Sequence, residues 1–124
     1  MVDINESIDI NNSILDTVKT FVGVDKDETV FDKELILEIN SVFLELFQNG
    51  IDELKAFGVS DGKEKWSDIN ITPLIVLLNV QIYICIKVNI LFDKSMSSSL
   101  VDNYNKIANE ALWRINIEKE SYNE

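Results

Sequence analysis

From Ile69 to Phe92 the chain carries one charged residue, Lys87. Whatever fold it adopts must bury or shield that run. Within it the even positions Val80, Ile82, Ile84, Ile86, Val88 and Ile90 are all β-branched, while Asn79, Gln81, Tyr83, Cys85, Lys87 and Asn89 alternate with them, which is the pattern of a strand. Thr72-Pro73 argues otherwise. It reads as a cap followed by a first-turn proline, and no turn signal interrupts the run as far as Phe92. A strand of about twenty residues is abnormally long and needs a sheet, for which no other segment offers a partner. A membrane span has the right length, but Asn79, Gln81, Lys87 and Asn89 are each costly in lipid and no basic flank orients it. The favoured reading is a central helix buried on most sides, with the strand as its alternative.

At 124 residues the chain fits a single domain, because so short a chain encloses one apolar core but not two. Apolar residues make up 46% and charged residues 27%, the balance of a folded domain and not of a disordered tail. The lone cysteine, Cys85, has no partner for a disulfide and sits in the apolar run, so it reads as a small buried hydrophobe in a protein made in the cytoplasm. The start, Met1 to Asn11, lacks the basic and apolar stretches of a signal peptide.

Three further segments read as helices. In Ser13–Val22 the residues Ile14, Leu15, Val18, Phe21 and Val22 share one face; Ser13 and Asp16 have capping-box spacing and Gly23 is placed to stop the helix. Asp32 can cap a second helix whose apolar positions Leu35, Ile36, Ile39, Val42, Phe43, Leu46 and Phe47 step by three and four until Asn49-Gly50 ends it. The connection Val24–Phe31 is acidic, with Val30 and Phe31 expected to pin it to the core. Gly50–Lys65 is polar and holds Gly58 and Gly62, so it reads as a long loop with Phe57 or Val59 tucked inward. Ser99 and Asp102 cap a last helix with the stripe Leu100, Val101, Tyr104, Ile107, Ala108, Ala111, Leu112 and Ile115. Beyond Ile117 the polar end should fray. The expected fold is all-α, a small bundle of about four helices with a long loop between the second and third. Residues 1–12 form an N-terminal extension, 13–117 the helical domain and 118–124 a C-terminal tail.

The charge is −11 and uneven. Residues 1–70 hold 16 acids against 6 bases, a balance of −10, and residues 71–124 hold 6 acids against 5 bases, a balance of −1. Gripping DNA needs Lys and Arg to displace counterions from phosphates, and no basic patch exists. An acidic surface can still face DNA as a wall that does not adhere.

The sequence offers almost no chemistry. There is no histidine, hence neither the commonest general base nor the commonest transition-metal ligand. One cysteine cannot build a usual zinc site, and the four glycines are scattered rather than gathered into a phosphate loop. Asp25, Asp27 and Glu28 lack the central glycine and distal glutamate of a calcium loop, so they read as a solvated acidic loop. Glu34, Glu38 and Glu45 on one flank of the second helix read as hydrated exterior. No catalytic residue, cofactor or metal site is expected, and an enzyme is the least favoured function.

Five stretches occur in an informative order: Asp27-Glu28-Thr29-Val30-Phe31-Asp32, Ile39-Asn40-Ser41-Val42-Phe43, the loop ending in Trp66-Ser67-Asp68, Tyr83 to Phe92-Asp93, and Ala111-Leu112-Trp113-Arg114-Ile115-Asn116. Together, over roughly residues 14–117, they resemble the small head-tail connector (adaptor, head-completion) family of tailed phages. The resemblance implies a helical third segment. It also implies a virion protein of the neck that assembles as a ring of twelve beneath the portal, continues the DNA channel and presents the surface to which the next head-completion or tail protein attaches. DNA would pass without sequence-specific binding, and no membrane is involved. Where family members often have prolines after the third helix, this chain reads Lys94-Ser95-Met96, which implies a looser joint.

An assembly part needs surfaces. Trp113 beside Arg114 combines two residue types favoured as interface anchors; the equal alternative is a tryptophan half-covering the bundle and an arginine in a surface ion pair. The last helix and tail, about Leu100 to Glu124, are expected to dock on the portal through Leu112, Trp113, Arg114, Ile115 and Ile117. Flat sides of the second and third helices are expected to meet ring neighbours, with Asn40, Phe57, Trp66, Asp68 and Tyr83 as candidate contacts. For Trp66, plugging its own core is the favoured reading. The rival function is a small helical regulator that binds another protein through its terminal helix.

Overall fold

Four helices follow one another: α1 (Ile14–Val22), α2 (Asp32–Gln48), α3 (Leu74–Phe92) and α4 (Ser98–Asn123), with 3-10 turns at Asp52–Leu54 and Trp66–Asp68 between α2 and α3. The computed structural model describes residues 10–123. Among these no strand forms beyond an isolated bridge between Ser13 and Lys65, so the chain is an all-α bundle.

α3 is the axis on which the other helices pack. Its β-branched residues explain the conflict in the sequence. Alternate positions in a helix stand about 200° apart, so six of them sweep the whole circumference. Val80, Ile84, Ile86 and Val88 are buried, Ile90 is half-buried, and only Ile82 is exposed. Enclosure from several sides overrides the strand propensity because every direction meets apolar neighbours. Among the described residues α3 is the one helix long and apolar enough to cross a membrane, yet 56% of that stretch is buried within the bundle. Its start differs from expectation by one residue. Pro73 occupies the cap with extended backbone, and Thr72 makes no capping bond.

α1 follows its sequence signals. The Ser13 hydroxyl accepts from the Asp16 backbone N–H at 3.1 Å, and Gly23 ends the helix at φ 86°, a left-handed conformation that only glycine adopts at little cost. α2 is entered differently. Phe31 is the cap residue, not Asp32, which lies in the first turn. The Asp32 carboxylate instead takes the ammonium of Lys19 at 2.8 Å, and Lys19 also donates to the Lys26 carbonyl at 2.9 Å. Lys19, only 1% exposed, thus anchors the acidic connection that Val30 and Phe31 were expected to hold. Val30 is 77% exposed, while Phe31 rests edge-on against Phe92 with centroids 5.3 Å apart.

The connection between α2 and α3 is better packed than its polarity suggests. Ile51, Leu54, Val59, Trp66, Ile69 and Ile71 are all buried. Phe57 meets Phe43 edge-on at 5.3 Å. The loop is laced to the entry of α1: Ile14 N–H donates to the Glu64 carbonyl at 2.8 Å, Trp66 N–H to Asn12 and Ser67 N–H to Ile10, and the Ser13 hydroxyl to the Gly62 carbonyl at 2.7 Å. Ile10 to Asn12, read from sequence as part of an extension, are thus hydrogen-bonded to this loop. The rest of that extension lies outside the described residues. Gly62 has φ 83°, and a Cβ there would come within 2.7 Å of Leu15 Cδ2, so the loop crosses α1 where only glycine fits.

α4 returns antiparallel to α3 and makes the most extensive helix contact in the molecule. Ala108, Ala111 and Ile115 are fully buried, the small residues letting the two backbones approach. It begins earlier than expected. The Ser97 hydroxyl accepts from Leu100 N–H at 3.2 Å, and Ser98 and Ser99 are already helical. The joint before it is a tight turn, since the Asp93 carboxylate accepts from both the backbone and the hydroxyl of Ser95. α4 also runs past Ile117 to Asn123, and Lys119 meets Glu53 at 2.6 Å across the chain.

Candidate functional site

Exposure separates the residues picked out from the sequence. Trp66 is fully buried, and its indole N–H donates to the Thr17 hydroxyl at 3.0 Å, so it plugs the core and offers no surface to a neighbour. Ile115 and Tyr83 are likewise enclosed. Asn40 is engaged within the chain: its amide donates to the Val59 carbonyl at 2.9 Å and accepts from Val59 N–H at 2.7 Å, holding the long loop to α2. Asp68 is exposed but closes its own turn, accepting from Lys65 N–H at 2.9 Å. Leu112 is half-buried against the core.

Trp113, Arg114 and Ile117 point outward. Trp113 is 64% exposed and Ile117, one turn on, is also exposed. On the helical wheel they stand opposite Ala108, Ala111 and Ile115, on the side of α4 away from the core. Arg114 lies 3.9 Å from Glu110, one turn back, with both side chains more than half exposed. Such a pair contributes little to folding, which leaves the guanidinium available to another molecule.

A polar knot joins α2, α3 and α4. The Tyr83 hydroxyl donates to Glu45 Oε1 at 2.9 Å; Lys87 Nζ lies 3.8 Å from the same oxygen and 5.7 Å from the Tyr83 ring centre, with Asn105 Oδ1 at 3.5 Å. Burial, then the Glu45 carboxylate, push the Tyr83 phenol well above its ordinary range, so it stays a neutral donor. Lys87 and Glu45 also line a shallow depression of about 160 Å³ with Ser41, Val42, Ile90 and Leu91. Glu45, expected to be hydrated exterior, is thus part of the packing. Glu38 is half-buried too, with one carboxylate oxygen enclosed and without a partner.

Among the described residues, the thiol and the acidic loop are taken up by the fold. Burial pushes the Cys85 thiol up to about 12, which keeps it protonated and inert. Asp25 and Glu28 fold their own loop, accepting from Asp27 N–H and Val30 N–H, each at 2.9 Å. Among the described residues no group of three or more His, Cys, Asp or Glu could hold a metal ion.

What this chain offers is exposed apolar surface on a helical bundle, and comparison with known proteins gives that surface a setting. A family model described as phage connector protein matches residues 14–122. The chain belongs to the phage connector family. The match takes in all of α1, α2 and α3 and nearly all of α4, including the part beyond Ile117. No curated protein and no solved structure matches the chain. Membership implies contact with other head and tail proteins of a phage particle and a position at the virion neck.

Some surface features of the connector escaped the sequence reading. Leu37 and Leu44 are 72% and 56% exposed on α2, and their signal was present as two leucines seven apart that lie off the buried stripe. Lys19 also went unnoticed. Its position four residues after Leu15, on the inner face of α1, marks it as a lysine that must find an acid indoors.

Proposed function

We propose that twelve copies of the connector close into a ring beneath the portal of a phage head, continue the DNA channel, and give the next head-completion or tail protein its attachment surface. The observation that carries this reading, beside family membership, is the outer face of α4. There Trp113 and Ile117 stand exposed beside Arg114, an arrangement that serves folding little and suits an anchor at the centre of a protein interface. Portal docking is assigned to Trp113, Arg114 and Ile117 with the flanking Leu112. Ile115, buried, acts by holding α4 in place.

The charge fits a channel component. With a net charge of −11 and 16 of 22 acids in residues 1–70, a ring lumen lined by the first half of the chain repels phosphates, so DNA slides without being held. Heterologous contacts between identical subunits close into a ring when the rotation per subunit is right. Light scattering after size exclusion, with and without purified portal, tests the proposal. A ring, or a complex with portal, is the expected result. A persistent monomer without portal affinity overturns it and leaves the α4 face to a partner of another kind.

A further inference from the structure

One strongly exposed apolar side chain sits on irregular backbone. Val30 precedes Phe31, the cap residue of α2. An apolar residue in that place commonly staples onto the fourth residue of the helix, here Leu35. Leu35 is fully buried while Val30 stands mostly in water, so no staple forms. Phe31 is partly exposed beside it and rests edge-on against Phe92. The backbone that carries the two is fixed. Val30 N–H donates to Glu28 Oε1 at 2.9 Å, Glu28 N–H to the Asp25 carbonyl at 2.9 Å and Asp32 N–H to the Thr29 carbonyl at 3.2 Å. Burying an ammonium is costly, and the buried Lys19 ammonium clamps this same connection at Lys26 and Asp32.

We infer that Val30 and Phe31 form a second docking point of the connector, the one that takes the next neck protein, and that this partner meets them with an apolar socket bordered by Lys or Arg. This rests on the adaptor reading above and gives its far surface a place. A braced loop that holds apolar side chains in water is a preformed anchor, because little further ordering is needed when a partner covers it.

Placement and charge choose the occupant. The contact of Phe31 with Phe92 sets the pair at the end of the bundle where α3 stops and α2 and α4 start. Trp113 and Ile117 stand about 22 and about 28 Å along α4 from its start at Ser98, toward the opposite end. Two bodies can therefore be held at once without competing for one surface. Asp25, Asp27 and Glu28 share the connection with Lys26 as its one base. Such a setting repels the phosphates of DNA and of anionic lipid. It also repels a second copy, which carries a charge of −11 and no basic patch. Apolar surface bordered by cations is what complements it.

Reconstitution in two steps tests the assignment. Portal-bearing heads that lack the connector, from the phage that encodes this chain, are loaded with purified connector, washed, and mixed with separately prepared tails. Connector retained on the heads is read by immunoblot and joined particles by electron microscopy, with circular dichroism as the check on folding. Val30→Asp should be retained like the wild type while joined particles fall about tenfold, as for an interface anchor. Trp113→Ala should already be lost at the first step. Asp27→Lys, at a carboxylate that the loop's own bonds do not use, should also lower joining, and unchanged joining there overturns the basic border of the socket. Wild-type joining by Val30→Asp overturns the docking point and leaves the adaptor reading standing. Loss of Val30→Asp from the heads overturns it too, since that end would then serve the portal or a ring neighbour. A wild-type chain that heads do not retain overturns the adaptor reading and this inference with it.

Discussion

The two tryptophans of the connector lie in regions with opposite purposes. Trp66 sits in the long connection between α2 and α3, wholly buried and hydrogen-bonded to α1. Trp113 sits on the last helix, mostly exposed and facing away from the core. The same side chain is structural in one place and spare in the other. The contrast teaches that irregular backbone in this molecule holds the bundle together, whereas its most regular element carries surface that folding does not use.

The sharpest way to break that contrast is to remove each indole in turn. Trp66→Ala leaves a large cavity between α1 and the loop and removes the indole's bond to the Thr17 hydroxyl, which keeps its own bond to the Ser13 carbonyl, so a loss of about 3–5 kcal/mol is expected in urea unfolding. That is a large share of the stability of a small domain. If the variant unfolds at nearly the wild-type midpoint, the loop is not the internal brace described above.

The inner region also has a charged member. Asp32→Ala strands the Lys19 ammonium in the core with only the Lys26 carbonyl. A fully buried pair loses about 3–5 kcal/mol when one partner is removed. Asp32 retains some exposure, so about 2 kcal/mol is expected here, read from the same unfolding curves. Lys19→Met should do less harm than Asp32→Ala, since it removes the buried charge and keeps the volume. The reverse order would mean that the bond to Lys26, not the ion pair, anchors the acidic connection.

How far the sequence revealed these two regions depends on where the physical signal is local. Ser13 and Gly23 mark the ends of α1 because caps act within one turn. The buried stripe of α2 is likewise visible, because 3.6-residue periodicity is written in consecutive positions. α3 is different: being enclosed, it has no polar face, so periodicity is lost and only length and the absence of a partner strand argue for a helix. In the long loop, Ile51, Leu54 and Val59 turn inward at no fixed spacing, which no pattern can announce. At the candidate site, Trp113 and Arg114 were legible by residue type, but the burial of Tyr83 and Ile115 depends on what packs above them. Leu37 and Leu44 were overlooked because a helix with apolar residues on two sides looks merely rich in leucine.

On the outer side the expectation reverses. Trp113→Ala should change the free energy of unfolding by no more than about 0.5 kcal/mol, as at exposed positions generally. Its affinity for portal should fall by about thirtyfold, the equivalent of about 2 kcal/mol for an interface anchor. Unfolding and portal binding measured on one preparation give both numbers. Equal losses in the two would erase the distinction between the tryptophans.

The smallest effect sits on the acidic flank of α2, between these regions. Burial, then the neighbouring Glu34, hold the Glu38 carboxyl above its usual range, against a lowering by Lys94. The folded chain therefore binds that proton more tightly than the unfolded chain, and ionised Glu38 opposes folding. The opposition is complete above the raised folded value and gone below the ordinary carboxylate value of the unfolded chain. Glu38→Gln removes it, so the variant should melt slightly higher than wild type at pH 7, and the two melting curves should converge as the pH falls through the carboxylate range. A gap that stays constant with pH would place the gain in packing instead of charge.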